Sequence, residues 1–533
     1  MRCALFLTSI LLSFGTGLTG CTDSGPNADR SVTSDVIRRG NVEDPATLDP
    51  ALAEDVHTFN ILVDLYEGLV AEDARGNLVP GVAHSWSVSD DLLRYTFELR
   101  ANVLWSNGDA LTAGDFARGL RRVAAPATPS SYAFLLESIE NFAAVKAGEM
   151  PEDALGVEVI DERTLVIRLH EPNVYFLSLL AMPVAFPLHG DGSNPAQFED
   201  PTRFVGNGAY VLEQRLLGRP VKLRQNDRYW DATSVVTESV EFVAIVDEVA
   251  EFNMYRSGEL HITATIPPSH IDQARKEHTD EVRIAPSLAL YYLAFDLTEP
   301  PLSVTALRQA LSMAIDREQL VTLLGRGEHP AYSVVPPGVA NYDGPEYQWK
   351  NATKEQRQQH ARDLYESAGY SADEPLQLKF VYDVGGIHER VALIVSAMWQ
   401  ETLGVSVALE KREWKYFLET RDNRDEWQVM RFSWFGDYND ASTFLNVFLS
   451  ESVQNLPRYK SSDYDKLIVA AANLVDLEAR AAYLQQAEEM LISDYPIAPL
   501  YFYVSKHMVN ANISGFENNI LDRHPSKYLR REK

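Results

Sequence analysis

The chain has 533 residues and a formal net charge of −28, with 48 Lys plus Arg against 76 Asp plus Glu. That acidic balance, with no basic stripe interleaved with aromatics, argues against nucleic acid as a partner and against broad docking on an anionic lipid face. Two cysteines, Cys3 and Cys21, leave no thiol framework for disulfides or Cys-ligated metal, so a 45% hydrophobic, 10% aromatic chain must be held by its cores.

Residues 1–20 read as a lipoprotein signal peptide. Arg2 supplies a positive charge, and the apolar run Ala4 to Gly17 is shorter than the ~20 residues a spanning helix needs. Leu18-Thr19-Gly20-Cys21 resembles the bacterial lipobox, which makes Cys21 the lipidated anchor; the other reading is an ordinary signal with a chance cysteine. Residues 21–34, rich in Ser, Asp, Asn, Gly and Pro, read as a flexible tether. After Cys21 every apolar stretch is broken by charge or proline before reaching spanning length.

From Val36 the pattern is mixed α and β. Val36 to Arg39 is a predicted strand, and Ile61, Leu62, Leu65 and Leu69 share a helical face. Tyr95 to Arg100 alternates as a half-buried strand does. Thr112, with Asp115 three residues on, caps a helix through Arg122. Asp161-Glu162-Arg163 turns into a strand from Thr164 to Leu169. Thr305 caps a helix carrying Leu307, Ala310, Leu311 and Ala314. Thr353 and Gln356 form a second capping box, and that helix stops near Gly369. Then follow strand Leu376 to Tyr382, helix Ile387 to Leu403, strand Val405 to Leu409, helix Trp414 to Arg421, strand Gln428 to Phe432, helix Arg480 to Ile492 and strand Pro499 to Val504. Such alternation predicts an α/β sheet lobe whose ligands sit at carboxyl ends of strands, here after Tyr382 and Phe432.

Catalytic signals are poor: there is no Gly-rich phosphate loop, no His-Glu-x-x-His, no Gly-x-Ser-x-Gly and no body cysteine, and the twelve His fall into no metal-ligand spacing. No enzyme, cofactor or metal is expected. The segment from Arg431 to Asp440 places Trp434, Tyr438, an arginine and Asp437 within ten residues; by itself it reads as core aromatics with a turn aspartate.

Several stretches together resemble the oligopeptide-binding proteins of bacterial ABC importers, within solute-binding protein family 5. They are Asp64-Leu65-Tyr66-Glu67-Gly68-Leu69, Trp105-Ser106-Asn107-Gly108, Leu111 to Phe116, Gly206-Asn207-Gly208-Ala209-Tyr210, Tyr255 to Glu259, Leu307 to Ala310 and Ala314 to Arg317. The run Trp434-Phe435-Gly436-Asp437-Tyr438-Asn439-Asp440 is similar to the motif of the peptide-binding branch. The resemblance covers about Val36 to residue 530.

It implies a two-lobed periplasmic-binding-protein fold with a hinge and three discontinuous domains: 35–80 with 205–288 and 505–533, an inserted domain at 81–204, and a second lobe at 289–504. It implies a monomer that takes short peptides, held by main-chain hydrogen bonds and largely independent of sequence, and passes them to a permease with ATPase subunits. Asp437 would hold the ligand's α-ammonium, Glu54 would contact it from the other lobe, and Arg431, Arg421 and His388 would receive its carboxylate. Trp434, Trp414, Tyr291 and Tyr292 would line side-chain pockets. Two departures stand out. A disulfide of some members is replaced by apolar residues at Leu288 to Leu290 and Phe435, and a family lysine is missing near Thr322 to Leu324, with Arg326 close by. Other ligands (a murein peptide, an opine-like compound, a metal chelate) and a peptide-sensing role remain open at this stage, as does the choice of membrane for the anchor.

Overall fold

The computed structural model describes residues 36–532 apart from 299, 372, 385, 414–415, 418–419, 421–426 and 437. Cys21 and the tether therefore lie outside the described residues. Two large hydrophobic cores organise the rest, one drawn from residues 48–242 together with Tyr438, the other from residues 288–502 together with Ile520. The fold is α/β and two-lobed.

In the first lobe, β1 (Val36–Gly40) is followed by a two-stranded ribbon, β2 (Val70–Glu72) and β3 (Leu78–Pro80). An antiparallel sheet follows, from β4 (Ala83–Val88), β5 (Arg94–Leu99), β6 (Val157–Val159) and β7 (Thr164–Arg168), in the order β4-β5-β7-β6. Tyr95, Phe97 and Leu99 of β5 are buried as alternation predicts. The helix Ala113–Ala124 over this sheet has the predicted capping box between Thr112 and Asp115. Strands β8 (Tyr210–Gln214), β9 (Val221–Gln225) and β10 (Ser239–Val243) join β1 in the order β1-β10-β9-β8, with β1 parallel to β10.

The helix expected to carry Leu69 ends earlier, at Leu65. It starts at Val56, capped by Asp55, whose carboxylate accepts the Thr58 N–H at 2.7 Å. It stops because Gly206-Asn207-Gly208 docks on its end. The Gly208 N–H donates to the Leu65 carbonyl at 3.0 Å, and Asn207 bonds both the N–H and the C=O of Glu67. A Cβ on Gly208 would lie 2.5 Å from the Asp64 carbonyl oxygen, so only glycine fits. The Glu67 carboxylate then collects the Tyr229 hydroxyl, the Trp230 indole N–H and the Lys527 ammonium, at 2.5, 2.5 and 2.8 Å. These signature residues are a structural junction inside the lobe.

The second lobe is built on a six-stranded sheet in the order β12-β16-β11-β15-β13-β14. Its strands are β11 (Val282–Phe295), β12 (His329–Pro330), β13 (Gln377–Asp383), β14 (Ser406–Arg412), β15 (Val429–Phe435) and β16 (Ile497–Met508). Strand β13 runs parallel to β14 and β15, and the β15-β11-β16 pairings are antiparallel. A last ribbon pairs β17 (Ile513–Ser514) with β18 (Arg530–Arg531). The helix Lys354–Ser367 has its predicted capping box, whereas Thr305 is the first residue of its helix and Val304 is the cap position. The helices Gly386–Leu403 and Leu477–Asp494 match the pattern with wider limits, and most of the expected helix Trp414 to Arg421 lies outside the described residues.

Strands β11 and β16 belong to both lobes. Val282 pairs with Met508 beside a small core of Phe252, Tyr255 and Ile271, while Ala294 pairs with Ile497 in the large second core. Between Pro286 and Leu290 the register shifts. Pro286 has no N–H to give, and Leu288 turns to other partners: its N–H donates to the Ile520 carbonyl at 3.0 Å and its carbonyl accepts the Gly436 N–H at 2.7 Å.

Candidate functional site

The pairing of β15 with β11 sorts the predicted residues onto two faces. Tyr291 lies opposite Ser433, Leu293 opposite Arg431 and Ala289 opposite Phe435, so Arg431, Ser433 and Phe435 share a face with Tyr291. The positions corresponding to the family's disulfide are thus a cross-strand Ala–Phe pair. Tyr292 and Trp434 point to the opposite face, where Tyr292 packs on Phe432 and Phe448 in the second core. The structure therefore does not bring Tyr292 and Trp434 to the Arg431 cluster.

Arg431 is buried and ion-paired with Asp383, which takes both its Nε and an Nη on one carboxylate oxygen. Its guanidinium lies 5.9 Å from the centre of the Tyr291 ring and 5.2 Å from that of Phe417. His388, at the start of the helix after β13, is stacked on Tyr291, accepts or donates at the Tyr291 hydroxyl at 3.2 Å, and comes within 3.9 Å of Asp383. Burial pushes the His388 imidazole down to about 4, and the Arg431 charge adds to this, so His388 is neutral at neutral pH. Burial also raises the Tyr291 phenol well above its ordinary value.

The same face continues across β16. Tyr501 pairs with Tyr291 and stacks on it at 4.7 Å, and the Tyr503 hydroxyl bonds Ser433 Oγ at 2.9 Å and its ring meets Phe435. At the outer edge Arg326 pairs with Glu328 at 3.0 Å, and Lys506 reaches Glu328 at 3.7 Å. Asp383, Ser433, Tyr501 and Tyr503 were not singled out from sequence. The period-two spacing of Tyr501 and Tyr503, and the place of Asp383 at the carboxyl end of a parallel strand, were the available signals.

Phe435 carries this face to a cavity of about 300 Å³ between the lobes. Val56, Phe59 and Tyr132 line it from the first lobe, Leu288 and Gly436 from the second, and Ile520 to Arg523 close one side. A Cβ on Gly436 would come within 2.6 Å of Leu288 Cγ, which accounts for the glycine between Phe435 and Asp437. Glu54 lies in the first lobe, two residues before the lining Val56, and accepts from Ser131 Oγ at 2.5 Å. Asp437, Arg421 and Trp414 lie outside the described residues. Tyr438 is described: it stacks on Tyr175 with ring centres 3.9 Å apart, a contact between the lobes.

Among the described residues, His507, Asp522 and His524 have donor atoms close enough to share a metal ion. Their own hydrogen bonds already link them. Asp522 Oδ1 lies 2.8 Å from His507 Nε2 and 3.1 Å from His524 Nε2, and His507 Nδ1 bonds the Thr263 carbonyl. Burial opposes charge on this trio, yet the pair holds Asp522 well below and His507 above its ordinary value, as a buried ion pair does.

Paired charges, stacked phenols and a cleft between two lobes suit a binding protein. The family model for bacterial extracellular solute-binding proteins, family 5 (middle region), matches residues 77–455, and the chain belongs to that family, whose members bind solutes. The Salmonella typhimurium periplasmic oligopeptide-binding protein OppA is 36% identical over 486 residues, 90% of this chain and 89% of that protein. The Escherichia coli periplasmic murein peptide-binding protein MppA is 33% identical over 521 residues, 97% of this chain and 95% of its own. The unliganded open form of MppA superposes with a TM-score of 0.87, at 33% identity, covering 94% of this chain and 98% of that one. Haemophilus influenzae OppA in complex with the peptide RPPGFSPFR gives 0.73, at 32% identity, covering 94% and 99%.

Proposed function

We propose that this protein is an extracytoplasmic lipoprotein, anchored through Cys21, that captures short peptides largely without regard to sequence and delivers them to an ABC permease. The observation that supports this most is the convergence of Arg431, His388 and Tyr291 on one face that runs to the interlobe cavity beside the Trp434–Asp440 motif. A buried guanidinium suits a ligand carboxylate, and Asp437 suits an α-ammonium, each through charge-assisted hydrogen bonds. Glu54 serves from the first lobe, and Arg421 and Trp414 complete the set that family likeness supplies, whereas Tyr292 and Trp434 belong to the opposite face. The lobes are the domains at 35–80, 205–288 and 505–533 with 81–204, against 289–504, hinged where β11 and β16 cross.

A murein peptide is the second reading, supported by the likeness to MppA over nearly the whole chain. Native mass spectrometry of the purified protein, with denaturing release of ligand, separates the two. A mixed set of short peptides supports the first, and one murein-derived mass the second. Asp437→Asn should weaken peptides with a free α-amine by about 2–5 kcal/mol, and the parent should bind N-acetylated peptides poorly. Equal affinity of the parent for free and acetylated peptides would refute the ammonium anchor.

A further inference from the structure

Asp383 closes β13, where its backbone is fixed by pairing with Arg412 and by the Val384 N–H, which donates to the Arg412 carbonyl at 2.8 Å. Its side chain covers the Nε–Nη edge of Arg431, the edge that offers a carboxylate two parallel N–H donors. Both side chains are 7% exposed. The other oxygen of Asp383 faces His388, the second group expected to meet a ligand carboxylate. The outer cations are matched as well, since Arg326 and Lys506 both approach Glu328. The basic residues of this face are interleaved with built-in acids.

We infer that Asp383 is an internal competitor for the ligand carboxylate at Arg431, and that it steers the protein toward peptides bringing no free carboxylate to that depth. A carboxylate entering there meets a guanidinium already engaged, and lies beside a second negative charge in a site with little water to separate them. A C-terminal amide, or a longer peptide whose backbone passes the position, meets no such repulsion. The inference rests on the peptide-binding reading and adds a ligand class to it.

Calorimetric titration of di- to pentapeptides, each as the free acid and as the C-terminal amide, tests this on the wild type and on Asp383→Asn. In the wild type the acid should hold no advantage over the amide at the length that reaches Arg431. In Asp383→Asn the acid should gain about tenfold over the amide at that length and little at others, the size expected for removing one close like charge. An unchanged acid-to-amide ratio in the variant at every length overturns the role of Asp383 and leaves peptide binding standing. Should the variant not fold, a wild type that favours acids about tenfold or more at every length overturns it alone. Binding of neither form overturns the peptide reading itself.

Discussion

Replacing Glu488 with Gln should remove a defined part of the protein's pH dependence. Glu488 is fully buried in the second lobe, on the helix Leu477–Asp494. One carboxylate oxygen accepts the backbone N–H groups of Val334 and Val335 at 2.7 and 2.9 Å, and the other accepts the Tyr342 hydroxyl at 2.5 Å. Burial pushes its carboxyl from 4.5 up to about 7, although these three donors resist the shift. The native state therefore keeps this proton to higher pH than the unfolded chain. The resulting stability is complete below 4.5 and is lost as pH rises through about 7; a displacement of that size corresponds to about 3 kcal/mol. Glutamine preserves the acceptor for the two N–H groups, and the tyrosine hydroxyl can rotate to accept from the new amide. Urea denaturation from pH 5 to pH 8 should show the variant gaining on the wild type by about 1–3 kcal/mol over that range. Glu251 and Asp64, raised by burial to about 7 and about 6, contribute equally to both proteins and cancel in the difference. Parallel curves for wild type and variant would refute the assignment.

Arg431→Met leaves Asp383 buried without its cation and should cost about 3–5 kcal/mol in urea denaturation, while the double variant with Asp383→Asn should cost less than the two singles together; a loss below about 1 kcal/mol would show that water reaches the pair. Tyr438→Ala removes a buried ring from between the lobes and should cost about 3–5 kcal/mol, and a double-mutant cycle with Tyr175→Ala should give a coupling of about 0.5–1.5 kcal/mol, with strict additivity ruling out the stack as an energetic contact. Cys21→Ser should release the protein from cell membranes into the soluble fraction; retention in the membrane fraction would remove the lipid anchor from the reading.

Local signals were legible where the chemistry is local. The capping boxes at Thr112–Asp115 and Thr353–Gln356 need only residues three apart, and both formed. The end of the Val56–Leu65 helix was not legible, because the group that stops it is Gly208, far along the chain. The Arg431 cluster follows the same rule. Its arginine, histidine and tyrosine carried family patterns, whereas Asp383 and Tyr501 reach the site through strand pairings no short window contains. The faces were hidden for the same reason. Tyr291 and Tyr292 look equivalent as neighbours, and the pleat alone sends one to the guanidinium and the other into the core.

At near-equal identity, the superposition scores 0.87 on an unliganded open relative and 0.73 on a peptide complex. The ladder of β11 and β16 is interrupted around Pro286 to Leu290 and again between Tyr291 and Tyr292, and Leu288 is tied to Ile520 on one side and Gly436 on the other. On the proposed hinge, a rotation at Leu288 would carry the motif beginning at Trp434 together with the wall formed by Ile520 to Arg523, because that residue bonds to both. In the proposed reading, closing the lobes carries Glu54, Phe59 and Tyr132 toward the Arg431 face. Leu288, on the proposed hinge, also lines that cavity, so one residue serves both.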